Sequence, residues 1–422
     1  MTEHKQPSDS ARAGTQTQFL NVIDRDEAER RFREALRLGP LGEEEIPLSQ
    51  ALGRVTSRDA VAEVDVPSFD RSNFDGFAVR AEDVQGAEEE HPRRLRLLEE
   101  IVATGMQPTS EITPGTALTI ATGAMTPRGA DAVVMVEFTD FRDGELWISK
   151  PAAAGFGISF TGSDVAAGET VVHQGERLTS RETGVLAAVG MDRAWVYRRP
   201  KAAVISTGNE IIAPGEPMRP GMVYDSNAQI LADAVEELGG IPLRMGIVND
   251  DKQALEDAIR QALQEADAVI LSGGTSKGAG DLSYRVVEEL TEPGVVAHGV
   301  ALKPGKPVCL ASHHGKPVVI LPGFPTSAVF TFHEFVAPVL RELGGRPAET
   351  VETLDAELAV KINSVVGRTE YALVGLIESE DGRPRAYPMG KGSGSVTTFS
   401  RADGFVTIPR RTEIVESGAP VV

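Results

Sequence analysis

The chain has 422 residues, of which 41% are hydrophobic, 25% charged and only 5% aromatic, so its cores must rest on Val, Ile, Leu and Ala. Sixty-two acidic side chains against 42 basic ones give a net charge of −20. A field of that sign disfavours unspecific binding to nucleic acid or an anionic membrane, and an anionic substrate would need local basic groups or a metal.

The length suggests two to four domains. Residues 1–20 read as a disordered tail, and the polar start is unlike a signal peptide. Residues 24–38 have helical spacing, with Ala28, Phe32, Ala35, Leu36 and Leu38 available to one face and Gly39-Pro40 as the stop. From 46 to 147 short apolar runs broken by Gly, Pro and Asp predict strands. Further short strands follow over 151–199, with a helix at 180–189.

The pattern then changes. Strands are expected at 201–206, 241–248, 268–272, 295–302, 308–311 and 318–321. Helices are expected from Asp225 or Ser226 to 238, at 252–266, at 281–290 and from Pro325 to 343. Alternation of strand and helix argues for a mostly parallel, doubly wound sheet, and the unalternating apolar run 268–272 suits a strand covered on both faces. Beyond Gly344 a small antiparallel β domain is expected over 350–422.

The division that follows is a tail (1–20), an N-terminal linker and β region (21–66 with 147–199), an inserted β-rich domain (67–146), an α/β domain (200–345) and a C-terminal β domain (346–422). The apolar run 317–332 is cut by Gly323 and Pro325, so no run is long enough to span a membrane. One cysteine excludes a disulfide framework and makes the cytoplasm the expected compartment. Cys309 lies in an apolar run and reads as a buried strand residue. The seven histidines are scattered, which gives no zinc motif.

Ligands of a doubly wound sheet sit beyond the carboxyl ends of its strands. The loops there carry Glu210, Asp250 and Asp281 and two glycine-rich turns. The stretch Gly273-Gly274-Thr275-Ser276-Lys277-Gly278-Ala279-Gly280-Asp281 has the features of an anion cradle: glycines for close backbone approach, hydroxyl donors and a helix N-terminus. It fits neither a Walker loop nor a dinucleotide fingerprint, and an ordinary helix cap is the plain alternative. Gly274-Thr275-Ser276-Lys277-Gly278 also fits GxSxG, but an elbow needs a helix directly after the serine, and Gly278 and Gly280 intervene. Lys303-Pro304-Gly305-Lys306-Pro307 puts two lysines on a stiff turn, suited to an oxyanion or else a solvated hairpin tip.

Taken in order, these segments resemble the molybdopterin molybdenumtransferases, the MoeA group that includes the gephyrin E domain. The matching runs are Ala51-Leu52-Gly53-Arg54, Val66-Pro67-Ser68-Phe69-Asp70-Arg71-Ser72-Asn73-Phe74-Asp75-Gly76-Phe77-Ala78-Val79 and Ala121-Thr122-Gly123-Ala124. They continue with Ser206-Thr207-Gly208-Asn209-Glu210, Tyr224-Asp225-Ser226-Asn227, the glycine loop, the lysine turn and Leu321-Pro322-Gly323. The likeness covers about residues 25–420.

The resemblance implies a multidomain α/β protein whose central doubly wound, mostly parallel domain is of the molybdopterin-binding type, with β-rich N-terminal regions and a small C-terminal β domain. It implies a homodimer and a Mg²⁺-dependent reaction in which adenylylated molybdopterin and molybdate give molybdenum cofactor and AMP. An upstream adenylyltransferase and recipient molybdoenzymes are the implied partners, with no role for nucleic acid or membrane. Asp75, Thr122, Glu210, Asp250 and Asp281 would surround the phosphates, with Glu210, Asp250 and Asp281 as metal ligands. Gly273, Gly274, Thr275 and Ser276 would cradle substrate, and Pro322 and Pro325 would shape the loop beneath. Lys303, Lys306, Arg368 and Ser393 would line the molybdate pocket. Asp75 and Thr122 would enter a cleft of the dimer.

Several positions depart from the family pattern. Lys277 and Ala279 stand where a hydrophobic and an acidic residue are usual, Phe324 where Asn is usual, and Ile158, Phe160 and Ser163 where Asn, Arg and Glu are expected. A tungsten-inserting paralogue, a molybdopterin adenylyltransferase and a non-enzymatic scaffold are the alternative functions.

Overall fold

The computed structural model describes residues 22–273, 280–378, 382–390, 392 and 394–422. The chain divides into two compact units, Glu45–Val196 and the described part of Met1–Glu44 with Tyr197–Val422. No helix among the described residues is long and apolar enough to cross a membrane.

In the Glu45–Val196 unit a six-stranded sheet has the order Ala132–Met135, Gly76–Val79, Thr116–Ile120, Arg93–Val102, Glu145–Ile148, Thr139–Arg142. Successive residues point to opposite faces of a strand. Val79 and Val134 accordingly pack with Leu95, Leu146 and Ile148 in one core, while Ala78 and Val133 join Leu118 and Ile120 in another. A smaller core gathers Ile46, Val172, Leu178 and Leu186. Leu186 comes from the helix Ser180–Ala188, which opens on a capping box of Thr179 and Glu182.

The other unit begins with helix α1, Arg25–Ala35, capped by Asp24. It ends three residues short of the expected 38, because Leu36 is already extended, with φ −99° and ψ 153°. Leu36 and Leu38 still pack against the core, but from extended chain. The central sheet follows, with strands β1 (Lys201–Thr207), β2 (Ile241–Val248), β3 (Ala268–Gly273), β4 (Pro293–His298), β5 (Cys309–His313) and β6 (Lys316–Leu321). Their order is β2-β1-β3-β6-β5-β4. The first four run parallel, β5 runs against β6, and β4 runs against β5.

The helices are α2 (Ser226–Glu237), α3 (Lys252–Glu265), α4 (Gly280–Leu290), α5 (Pro325–Thr331) and α6 (Ala337–Leu343). On one sheet face Ala202, Val204 and Ile270 meet Ala28, Phe32, Leu231, Val235 and Phe332. On the other, Ala203, Ile205, Val269 and Leu271 meet Leu255, Ile259, Val286 and Val287. Helices therefore cover both faces, the doubly wound arrangement. Cys309 is buried within the second core, 1% exposed, and burial pushes its thiol pKa far up.

Three further expectations are corrected. The strand expected over 295–302 is two strands, because Gly299 turns the chain at φ +92°. Its second part, Leu302–Lys303, leaves the central sheet and pairs in parallel with Thr369–Glu370 of the C-terminal domain. The helix expected from 325 to 343 is interrupted by a π-helical turn, Phe332–Val336, just before Pro338, whose missing N–H breaks the regular ladder. The C-terminal domain is mixed rather than antiparallel, since Ala356–Leu358 also pairs in parallel with Pro384–Pro388. It also holds a helix, Val396–Arg401, capped by Ser395.

Candidate functional site

The carboxyl ends of β1, β3 and β6 open on a cleft of about 1240 Å³, walled on its far side by the C-terminal domain. At its floor three backbones come close together. Gly273 ends β3 at φ +105°, and a Cβ there would lie 2.3 Å from the Thr207 carbonyl oxygen. Only glycine tolerates both that angle and that approach. A Cβ on Gly323, in the loop after β6, would lie 3.5 Å from the Gly273 Cα.

Asn227 ties these ends to α2. Asp225 caps the helix by accepting from the Ala228 N–H at 2.9 Å, which places Asn227 in the first turn. Its Nδ2 donates to Ser272 Oγ at 2.8 Å and to the Gly323 carbonyl at 2.9 Å. A carbonyl only accepts, so the amide orientation is fixed and Oδ1 faces the other way. Oδ1 has no partner among the described residues, and neither do Ser206 Oγ and Thr207 Oγ1. All three residues are buried and line the cleft. Buried polar atoms are rarely left unpaired, so these three mark a polar layer beneath the cleft.

The far wall begins at the lysine turn. Lys303 forms a 2.8 Å ion pair with Glu370, whose other carboxylate oxygen accepts from Ser364 Oγ at 2.7 Å. Lys306 and Arg368 line the same cleft, as do Pro322 and Pro325. Thr326 Oγ1 donates to the Ser395 carbonyl at 2.9 Å and ties α5 to the C-terminal domain. Tyr371 stacks on Phe330 at 5.2 Å, and its hydroxyl donates to Glu334 in the π turn at 2.7 Å. Burial, and then the charge of Glu334, push the Tyr371 pKa upward.

Three family models match in succession: the MoeA N-terminal region (domain I and II) over residues 23–190, a probable molybdopterin binding domain over 203–342 and the MoeA C-terminal region (domain IV) over 355–422. The chain is 36% identical over 382 residues to molybdopterin molybdenumtransferase 2 of Mycobacterium tuberculosis, covering 89% of this chain and 92% of that protein. It is 33% identical over 407 residues to the molybdopterin molybdenumtransferase of Bacillus subtilis, covering 94% and 92%. The crystal structure of a MoeA protein of molybdopterin biosynthesis from Pyrococcus horikoshii superposes with a TM-score of 0.82 at 41% identity, over 95% of this chain and 98% of that one. The chain belongs to the MoeA family, enzymes of molybdenum cofactor biosynthesis.

Of the site residues expected from the MoeA resemblance, the cleft unites Glu210, Gly273, Lys303, Lys306, Pro322, Pro325 and Arg368. Asp250 does not line it; its backbone N–H donates to Asn209 Oδ1 at 3.1 Å, and the neighbouring Asp251 caps α3. Asp281 is the second residue of α4, at the carboxyl end of the sheet, and its side chain lies outside the described residues. Gly274, Thr275, Ser276 and Ser393 also lie outside them, as do Lys277 and Ala279.

In the Glu45–Val196 unit Asp75 and Thr122 are brought together. One carboxylate oxygen of Asp75 accepts from the Thr122 N–H at 2.7 Å and from its hydroxyl at 3.0 Å. The backbone donor first, and then the hydroxyl, hold the Asp75 pKa below its ordinary value. Of the departures from the family pattern, Ile158 is buried beside Ser72 in a short antiparallel pair, while Phe160 is half exposed.

Sequence reasoning passed over Ser206, Thr207, Asn227 and Ser272 as site residues, and Glu370 with them. Asn227 looks like any polar residue early in a helix, and only its contacts mark it out.

Proposed function

We propose that the protein inserts molybdenum into adenylylated molybdopterin: the phosphoanhydride is cleaved, AMP leaves and molybdenum from molybdate is taken up by the dithiolene sulfurs of the pterin. The observation that carries this reading is one cleft with two kinds of wall. Glu210 and the buried hydroxyls stand at the strand ends, and Lys303, Lys306 and Arg368 stand opposite. In a chain of net charge −20, an oxyanion needs such local cations, and the planar guanidinium of Arg368 suits two oxygens at once.

Mg²⁺ takes one or two carboxylates and completes its shell with water and phosphate oxygens; of the expected donors Glu210 lines the cleft and Asp250 does not, and no group of three metal-ligating side chains forms among the described residues. Glu210, joined by Asp281 from the start of α4, would hold the ion there, Asp250 only if its loop moved in, and the ion would supply neutralisation of charge on the phosphoanhydride. Asp75 with Thr122 would complete the acidic surroundings of the phosphates. The glycine loop would cradle the substrate, beginning at Gly273 in the cleft lining, with Gly274, Thr275 and Ser276 contributing backbone and hydroxyl donors. Ser393 would join the oxyanion pocket. Assembly as a homodimer in the cytoplasm is part of the same reading, and light scattering of the purified chain tests the dimer.

The reaction is tested by incubating purified protein with adenylylated molybdopterin, Mg²⁺ and molybdate or tungstate, following AMP release and reconstitution of a cofactor-free molybdoenzyme. AMP release that requires oxyanion and Mg²⁺ is the expected result. Absence of release with all components present overturns the reading.

A further inference from the structure

Of Lys303, Lys306 and Arg368 in the cleft, Lys303 alone carries an ion pair among the described residues. Its Nζ lies 2.8 Å from a carboxylate oxygen of Glu370, and both residues line the cleft. The two partners are held very differently. Glu370 sits on a strand fixed at both neighbouring positions. The Thr369 N–H donates to the Ala301 carbonyl at 2.9 Å, and Tyr371 stacks on Phe330 and donates to Glu334 at 2.7 Å. The second carboxylate oxygen of Glu370 accepts from Ser364 Oγ at 2.7 Å. Its side chain is 12% exposed against 39% for Lys303, which reaches it by a flexible stem. The carboxylate is therefore the fixed partner and the ammonium the movable one.

A carboxylate offers a lysine what an oxyanion offers it, a charged acceptor oxygen at hydrogen-bond distance. An oxyanion arriving at Lys303 thus finds a rival already in place. Lys303 and Glu370 are Cα partners across parallel strands, so the rival contact forms without any movement of backbone. When the ammonium leaves, the Ser364 hydroxyl still serves the carboxylate, and that remaining bond lowers the cost of release.

We infer that Glu370 is an internal competitor for the oxyanion: it holds Lys303 until an anion displaces it and so limits how tightly the pocket binds. The inference rests on the oxyanion role proposed for Lys303 and adds to it a residue that sets the affinity. A carboxylate that merely positioned the lysine would act with the opposite sign, since its loss would weaken anion binding.

The test is calorimetric titration of the full chain with molybdate, in the absence of pterin, for wild type, Glu370→Gln, Lys303→Ala and the double variant. Glu370→Gln keeps the shape and an acceptor for Ser364 while removing the charge, and it should tighten molybdate about fivefold. In the Lys303→Ala background the same substitution should lose most of that gain, because the competition passes through the ammonium. The inference is overturned if Glu370→Gln binds molybdate no more tightly than wild type, or if most of the gain persists without Lys303. Urea unfolding confirms that each variant is folded. If Glu370→Gln is not, Glu370→Asp takes its place with the same expected directions, because its shorter side chain draws the carboxylate back from the ammonium. Failure of the reaction reading is separate. Tightened molybdate with no AMP release removes the reaction and leaves the competitor; AMP release with unchanged molybdate binding removes the competitor alone.

Discussion

Lys303 and Glu370 are joined twice, as backbone partners in parallel register and as an ion pair of 2.8 Å. The carboxylate is the more buried partner, 12% exposed against 39% for the lysine. The lysine proposed to meet the oxyanion is thus also a strut between the central and C-terminal domains. Removing it leaves Glu370 with the Ser364 hydroxyl as its side-chain partner among the described residues.

The three cations are therefore not equivalent. Lys306→Ala and Arg368→Ala should raise the molybdate concentration for half-maximal turnover about tenfold to hundredfold, the worth of one charge-assisted contact. Lys303→Ala should do the same and also lower unfolding free energy by about 1–2 kcal/mol, between the values for exposed and buried pairs. Molybdate titrations at saturating pterin, with urea unfolding beside them, check both. If pterin affinity fell and the molybdate requirement held, the lysines would be phosphate ligands instead.

Asp75 gives a pH prediction. Its folded pKa is depressed because Thr122 donates to the charged carboxylate. Such a group contributes stability above its unfolded pKa, about 4, and loses that contribution as pH falls through the lower folded value. Acid unfolding of wild type below pH ~4 should therefore contain a component that Asp75→Asn lacks. Thr122→Ser should keep the component and Thr122→Val should weaken it. Identical acid limbs for wild type and Asp75→Asn would show that the bond does not contribute.

Glycines separate into two kinds. Gly273→Ala meets the Thr207 carbonyl at 2.3 Å and Gly76→Ala meets that of Val134 at 2.0 Å, so each should cost about 2–4 kcal/mol. Gly184 lies inside the helix Ser180–Ala188 with open space around it. Gly184→Ala should stabilise by about 0.5–1 kcal/mol through helix propensity. Urea midpoints of the three variants decide the matter, and a stabilised Gly273→Ala would refute the close approach.

Cys309 should be inert. It is 1% exposed, and burial raises the thiol pKa far above its ordinary value, so the thiol stays protonated. Thiol reagent should react only as fast as the chain opens, and added denaturant should accelerate labelling. Rapid labelling of the native protein would contradict the burial.

Sequence by itself determined the central layer. Unalternating strands such as 268–272 can only be covered on both faces, and strand–helix alternation then puts the ligand at the strand ends, where Glu210 and Gly273 do line the cleft. Caps at Asp225, Asp251 and Ser180's neighbour Thr179 are local bonds between residues two or three apart, so local spacing suffices to anticipate helix starts there. What tertiary structure alone decided are contacts across long stretches of chain. Asn227 reaches Ser272, 45 residues on, and Gly323, 96 residues on. Lys303 leaves the expected strand at Gly299 to pair with Glu370 in another sheet. Periodicity reports which face of an element is apolar and nothing about which distant element will meet it. That choice belongs to packing, because a buried amide or carboxylate is stable only where folding has brought its partners.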